Sequence, residues 1–159
     1  TRKIGAPNQP ELALGALDPD GEVVLDEELM GELGTRLEEL GNEIKKQWKE
    51  LKRREDEYRA GREPLDLKGN TVVLVDDGMA TGATVLAAVR YLKRHGAKVI
   101  LAIPVTSKDA LNKVQSELGE SEKSVILEIP EDFRAVGQFY ENFEPVLDEE
   151  VIELITKIQ

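Results

Sequence analysis

The chain has 159 residues, no cysteine, and 32 acidic against 21 basic side chains, a net charge of -11. That length supports one domain with a real core; the missing thiols exclude disulfides and zinc–thiolate sites; the negative balance argues against nucleic acid and anionic membranes as general partners. No apolar run approaches the ~20 residues that span a bilayer and no signal-peptide pattern is read, so the expected location is cytoplasmic.

Thr1 to Pro10 carries two prolines in a short polar stretch. Leu12–Leu17 and Glu22–Leu25 flank Asp18-Pro-Asp-Gly21, with Pro and Gly where a tight reversal wants them, so a β-hairpin is expected. From Asp26 to Arg62 the pattern is helical and highly charged, with Leu29, Leu33, Leu37, Leu40, Ile44, Trp48, Leu51 and Tyr58 at three- and four-residue steps. Gly34 and Gly41 interrupt it, and Thr35-Arg-Leu-Glu38 (a capping box) and Asn42 are the candidate N-caps. The expectation is a short helix, then a long one ending at Gly61, whose apolar stripe docks on its own domain; a homo-oligomer seam is the alternative use of that face.

Val72 to Val75 is an unbroken aliphatic run, the composition of a parallel strand buried on both faces. Asp76 and Asp77 follow it, at the strand end where open α/β sheets bind ligands. Gly78-Met-Ala-Thr-Gly-Ala-Thr84 then leads into the helical pattern of Val85, Leu86, Val89 and Leu92. A loop of small residues opening a helix is a phosphate cradle, because unpaired amides and the helix dipole favour an anion. Thr81 and Thr84 add hydroxyls. The ligand implied carries a phosphate at one end and vicinal hydroxyls at the other. Neither a Walker loop nor a dinucleotide fingerprint is present.

Beyond the loop, a helix from Thr84 to Arg94, a strand from Lys98 to Pro104, a helix from Lys108 to Leu118 and a strand from Ser124 to Glu128 imply a parallel sheet with right-handed crossovers. His95, the only histidine, falls in the last turn of a helix, where an imidazole meets the carbonyl end; it is read as a helix-terminus residue and no catalyst. Phe133, Phe139, Tyr140 and Phe143 cluster before a C-terminal helix from Asp148 to Ile158. They read either as a plug under that helix or as a surface for stacking an acceptor base.

The segment Val72 to Thr84 resembles the phosphoribosyl-pyrophosphate signature of type I phosphoribosyltransferases. With Arg-Lys-Ile-Gly-Ala-Pro from Arg2 and Phe-Arg-Ala-Val-Gly-Gln-Phe-Tyr from Phe133, the resemblance is to a poorly characterised bacterial and archaeal branch, and it runs from Arg2 to about Ile155. It implies an α/β fold of type I phosphoribosyltransferase-like parallel sheet flanked by helices, with a β-hairpin and a long amphipathic helical insertion. It also implies a single domain divided into hood loop and hairpin (1–25), helical insertion (26–62), core (70–129) and C-terminal aromatic loop and helix (130–159).

By this resemblance Asp76 and Asp77 hold the ribose hydroxyls and act in catalysis with Lys3. Gly78, Ala80, Thr81, Gly82, Ala83 and Thr84 bind the phosphoribosyl group; Arg2 and Lys3 meet the pyrophosphate; Phe133, Val136 and Gly137 line the acceptor pocket. Magnesium is the implied cofactor, bound mainly by substrate oxygens, with no certain protein ligand. Ala80 stands where 6-oxopurine enzymes place an Asp, which disfavours guanine or hypoxanthine without choosing an acceptor. A Pro-Arg-Gly-Gly pyrophosphate loop found nearer the N-terminus of the resembled enzymes has no match here. The expectation is therefore a chain lacking that portion, longer in its native form or covering a bare sheet edge with a partner, and inactive alone. The implied reaction is displacement at the anomeric carbon by a nucleobase or other nucleophile; a non-catalytic phosphoribosyl-pyrophosphate- or nucleotide-binding regulator, or a structural protein assembling through its long helix, are the alternatives.

Overall fold

A computed structural model of the chain describes residues 1–120 and 122–157. The first half builds an antiparallel sheet from β1 (Arg2–Ala6), β2 (Gln9–Leu17) and β3 (Val23–Leu25), in that order. The expected hairpin is its β2–β3 half. Its turn is closed by Asp18, fully buried, whose Oδ1 accepts from the amides of Asp20 (2.9 Å) and Glu22 (3.0 Å).

Two helices follow, α1 (Glu27–Leu33) and α2 (Leu37–Arg59). Asp26 caps α1, accepting from Leu29 N–H at 3.1 Å, and Gly34 ends it in the left-handed region. The expected capping box does not form: Arg36 holds the N-cap position of α2 without a side-chain bond, and Asn42 lies inside the helix. Leu40 and Leu51 are buried, and with Ile44 and Trp48 they pack on Ile4, Leu14 and Leu17 of the antiparallel sheet. The stripe of α2 therefore serves its own domain.

The second half alternates as expected: β4 (Thr71–Val75), α3 (Ala83–Arg94), β5 (Lys98–Val105), α4 (Lys108–Gln115) and β6 (Lys123–Glu128), giving a parallel sheet of order β4-β5-β6. Val85, Val89 and Leu92 of α3 and Ala110, Leu111 and Val114 of α4 bury its inner residues Val99, Leu101 and Ile103. The opposite side of α3 is lined by Ala83 and Ala87, small enough for Ala16 and Val24 of the antiparallel sheet to pack against them. One helix thus joins the two sheets, and its N-terminus lies where they meet.

Full burial of β4 does not occur. Val72 and Leu74 face α3, but Val73 is 56% and Val75 67% exposed, because the described residues place nothing on that face. Past β6 the chain runs through a short 3-10 turn (Val136–Phe139) to α5 (Asp148–Lys157), which docks on the end of α2 through Asp148 with Arg53 and Tyr58. The expected end of this helix at Ile158 lies outside the described residues.

Candidate active site

The chain leaves β4 at the C-terminal end of the parallel sheet, so Asp76 and Asp77 emerge there side by side. Asp76 is half-buried, and its Oδ1 accepts from the Asp77 amide at 3.0 Å. Burial, reinforced by the charge of Asp77, holds the Asp76 carboxyl above the ordinary carboxylate range, against the opposing pull of that amide. Asp77 is exposed.

The loop that follows is pinned at its middle. Met79 is buried; its N–H donates to the Val105 carbonyl and its carbonyl accepts from Ser107 N–H, both at 3.0 Å, so it continues the parallel pairing beyond β4. Ser107 caps α4, accepting from Ala110 N–H at 3.1 Å, and its hydroxyl donates to the Ala80 carbonyl at 2.8 Å. Gly82 then turns into α3 with φ 76°, a region that costs an L-residue, and a Cβ there would stand 3.3 Å from that of Ala110. The helical ladder begins with Leu86 N–H donating to the Gly82 carbonyl at 2.8 Å. The amides of Ala83, Thr84 and Val85 precede it, and Ala83 N–H alone among them finds a local acceptor, Thr81 Oγ1 at 3.4 Å. This arrangement suits an oxyanion.

Asp76, Asp77 and this loop floor a cleft of about 1130 Å³. One wall is Lys3 with residues 9–13; the other holds Arg134, Val136 and Phe143. Of the expected phosphoribosyl-binding residues, Asp76, Asp77, Gly78, Ala80, Thr81, Gly82 and Thr84 line it together, while the Ala83 side chain turns into the packing between α3 and the antiparallel sheet. The Arg2–Lys3 pair is divided, because neighbours on a strand point to opposite faces. Lys3 lines the cleft; Arg2 points to α2, where its Nε donates to Gln47 Oε1 at 2.9 Å beside Lys45, Lys46 and Lys49.

Both cationic side chains that line the cleft already have acids: Lys3 Nζ lies 3.1 Å from Glu11 Oε2, and Arg134 holds Asp132 through two bonds at 3.1 and 3.2 Å. Pairs this exposed contribute at most about 1 kcal/mol, so they hold the two cations only weakly. Of the expected acceptor residues, Val136 lines the cleft, Gly137 sits behind it, and Phe133 stacks on Phe139 at 5.6 Å. Phe143, read as a plug candidate, is the aromatic that reaches the cleft. Ser107 and Met79 gave no sequence signal beyond a Ser ahead of a helical pattern.

The family model described as "Phosphoribosyl transferase domain" matches residues 23–143. The chain belongs to the phosphoribosyltransferase family. A Mycobacterium tuberculosis H37Rv protein bearing the name "Putative phosphoribosyl transferase" is 41% identical over 159 residues, covering 98% of this chain and 35% of that protein. The crystal structure of TT1426 from Thermus thermophilus superposes with a TM-score of 0.69 at 38% identity, covering 98% of this chain and 73% of that one. The uracil phosphoribosyltransferase of Kocuria rhizophila is 38% identical over 69 residues, 43% of this chain and 33% of that enzyme. The chain spans about a third of the length of the Mycobacterium relative. Family membership supports a transferase role. No described helix is long and apolar enough to cross a membrane.

Proposed function

We propose that this chain binds phosphoribosyl pyrophosphate and transfers its phosphoribosyl group to a nucleobase or related nucleophile. The observation that carries this reading is the adjacency of two carboxylates, Asp76 and Asp77, to the amide-rich start of α3 in one cleft. Amides of residues 78 and 80–84 and the hydroxyls of Thr81 and Thr84 take the 5′-phosphate, the Met79 amide being held by the Val105 carbonyl. The two carboxylates accept from the ribose 2′ and 3′ hydroxyls. Lys3, released from Glu11, meets the pyrophosphate, and Val136 with Phe143 forms the wall on which the acceptor stacks. Phe133 and Gly137 support that wall from behind.

In the reaction the bond from the anomeric carbon to pyrophosphate breaks, the bond to the acceptor nitrogen forms, and the proton on that nitrogen passes to water in the open cleft. Positive charge grows on the ribose ring near Asp76 and Asp77, so placement and charge compensation supply the catalysis. The hard carboxylate oxygens of this pair suit magnesium as a minor contact, consistent with an ion carried mainly by substrate and water. When bound, it neutralises the leaving pyrophosphate.

A second reading has its own support. With Arg2 turned to α2, the described residues present one strand cation, Lys3, to the pyrophosphate end. That suits a regulator that binds the sugar phosphate without turning it over. Calorimetric titration with phosphoribosyl pyrophosphate and magnesium, followed by a screen of nucleobases for pyrophosphate release, separates the two. Binding with release supports the transferase, binding without release supports the regulator, and no binding refutes both.

A further inference from the structure

The segment from Pro130 to Leu147 forms the acceptor wall of the cleft, yet it has almost no polar attachment to the rest of the chain. Its other hydrogen bonds are internal or link it to the adjoining α5; those that involve side chains join Arg134 with Asp132 and Gln138, Gln138 with Asp132, Glu144 with Asn142, and Leu147 with Glu150. Among the described residues one hydrogen bond ties it to the parallel-sheet core. The Tyr140 hydroxyl donates to the backbone carbonyl of Asp77 at 2.7 Å. That carbonyl belongs to one of the two carboxylate residues set to hold the ribose. The Tyr140 ring lies 5.2 Å from the Phe143 ring, tilted by 39°. Next to it Val136 closes over Gly78, where a Cβ would come within 2.7 Å of the valine methyl.

We infer that Tyr140 is a positioning residue that fixes the distance between the acceptor wall and the ribose-binding carboxylates. It does not touch the reacting atoms. Its hydroxyl latches Val136 and Phe143 to the strand end, so that a base stacked on them stands at a set place relative to the sugar. Apolar packing alone would leave the wall free to slide, since stacking tolerates displacement along the ring plane. One directional bond to the Asp77 carbonyl removes that freedom. A wall held off by even about 1 Å would misplace the acceptor nitrogen and cost rate as well as affinity.

This inference rests on the phosphoribosyl reading of the cleft, and two probes keep the two apart. Ribose 5-phosphate occupies only the phosphate loop and the carboxylates; adenosine and uridine 5′-monophosphates span both ends. Their dissociation constants are measured by calorimetry for the parent chain and for Tyr140→Phe, with circular dichroism as the check on folding. The parent is expected to bind at least one nucleotide more tightly than ribose 5-phosphate. In Tyr140→Phe the ribose 5-phosphate constant stays within about twofold, while that of the nucleotide rises about fivefold, the scale set by one such hydrogen bond.

Gly137→Ala supplies an independent arm, because its Cβ would meet the Phe143 ring at 2.7 Å and displace the same wall from behind. It should show the same selective loss. An unchanged nucleotide constant in Tyr140→Phe, an equal loss for both probes, or a variant that fails to fold each overturns the positioning role. Failure of ribose 5-phosphate to bind the parent chain refutes the phosphoribosyl reading itself.

Discussion

At Asp76, burial and the neighbouring charge of Asp77 both oppose ionisation, which makes this carboxylate costly to the ligand-free fold. With a folded pKa raised above the unfolded one, the cost is absent below the ordinary Asp value. It grows as pH rises through the interval between the two pKa values and is fully present above the folded one. Asp76→Asn should therefore raise the melting temperature at pH 7 and leave it unchanged near pH 3; a lower melting temperature at pH 7 would contradict the assignment. In the proposed function the ligand compensates for this, since ribose hydroxyls would donate to a carboxylate that the protein leaves underpaired. Replacing both acids, Asp76→Asn with Asp77→Asn, should weaken phosphoribosyl pyrophosphate binding at least tenfold while the circular dichroism spectrum stays that of the parent. Unaltered affinity in that double variant removes the central claim.

Among the elements, the strand–loop–helix unit from β4 to α3 answers to local chemistry, and Gly82 is its narrowest point. Gly82→Ala should cost about 1–2 kcal/mol through its left-handed backbone, more if Ala110 cannot yield, and should weaken ribose 5-phosphate binding in parallel. Urea unfolding and calorimetry would measure both, and a variant of parental stability would show that the turn relaxes freely. The far end of α3 is held differently: Arg94 reaches buried Asp18 at 2.5 Å, and His95 Nε2 lies 2.9 Å from Asp20. Asp18→Ala removes two turn bonds and this ion pair, and should destabilise the fold by about 2–3 kcal/mol. The strand, the acids, the loop and the helix after it were legible in the sequence because each follows from residues close along the chain. So was the docking of α2, written in its Leu and Trp spacing. What was not legible depends on distant partners: Arg2 and Lys3 looked like a pair until strand pleating set them on opposite faces, and Phe143 displaced Phe133 at the cleft because Phe133 found Phe139. The capping box at Thr35 failed because the helix starts one residue later than the motif requires.

At the scale of the molecule, α3 is the shared wall between two small sheets, and among the described residues what packs on the parallel sheet lies on its side. The other side of that sheet stays open, with Val73 and Val75 on β4 and Val125 and Leu127 on β6 at 56, 67, 53 and 75% exposure. The two strands that carry them are also the sheet's edges. Contiguous apolar surface beside unpaired backbone drives association in water, because both the side chains and the open edge gain by being covered. The 159-residue chain should therefore bind an apolar fluorescent dye and grow in apparent mass with concentration on a sizing column. Val73→Thr combined with Leu127→Lys should suppress both effects. Since both side chains are already in water, the double variant should stay within about 0.5 kcal/mol of the parent in urea unfolding. It should also keep its affinity for ribose 5-phosphate, because neither residue lines the cleft. A parent chain that stays monomeric at high concentration and leaves the dye dark would mean that this face is not the sticky surface its exposure implies, and a double variant that loses stability would mean that the two side chains pack where they stand open here.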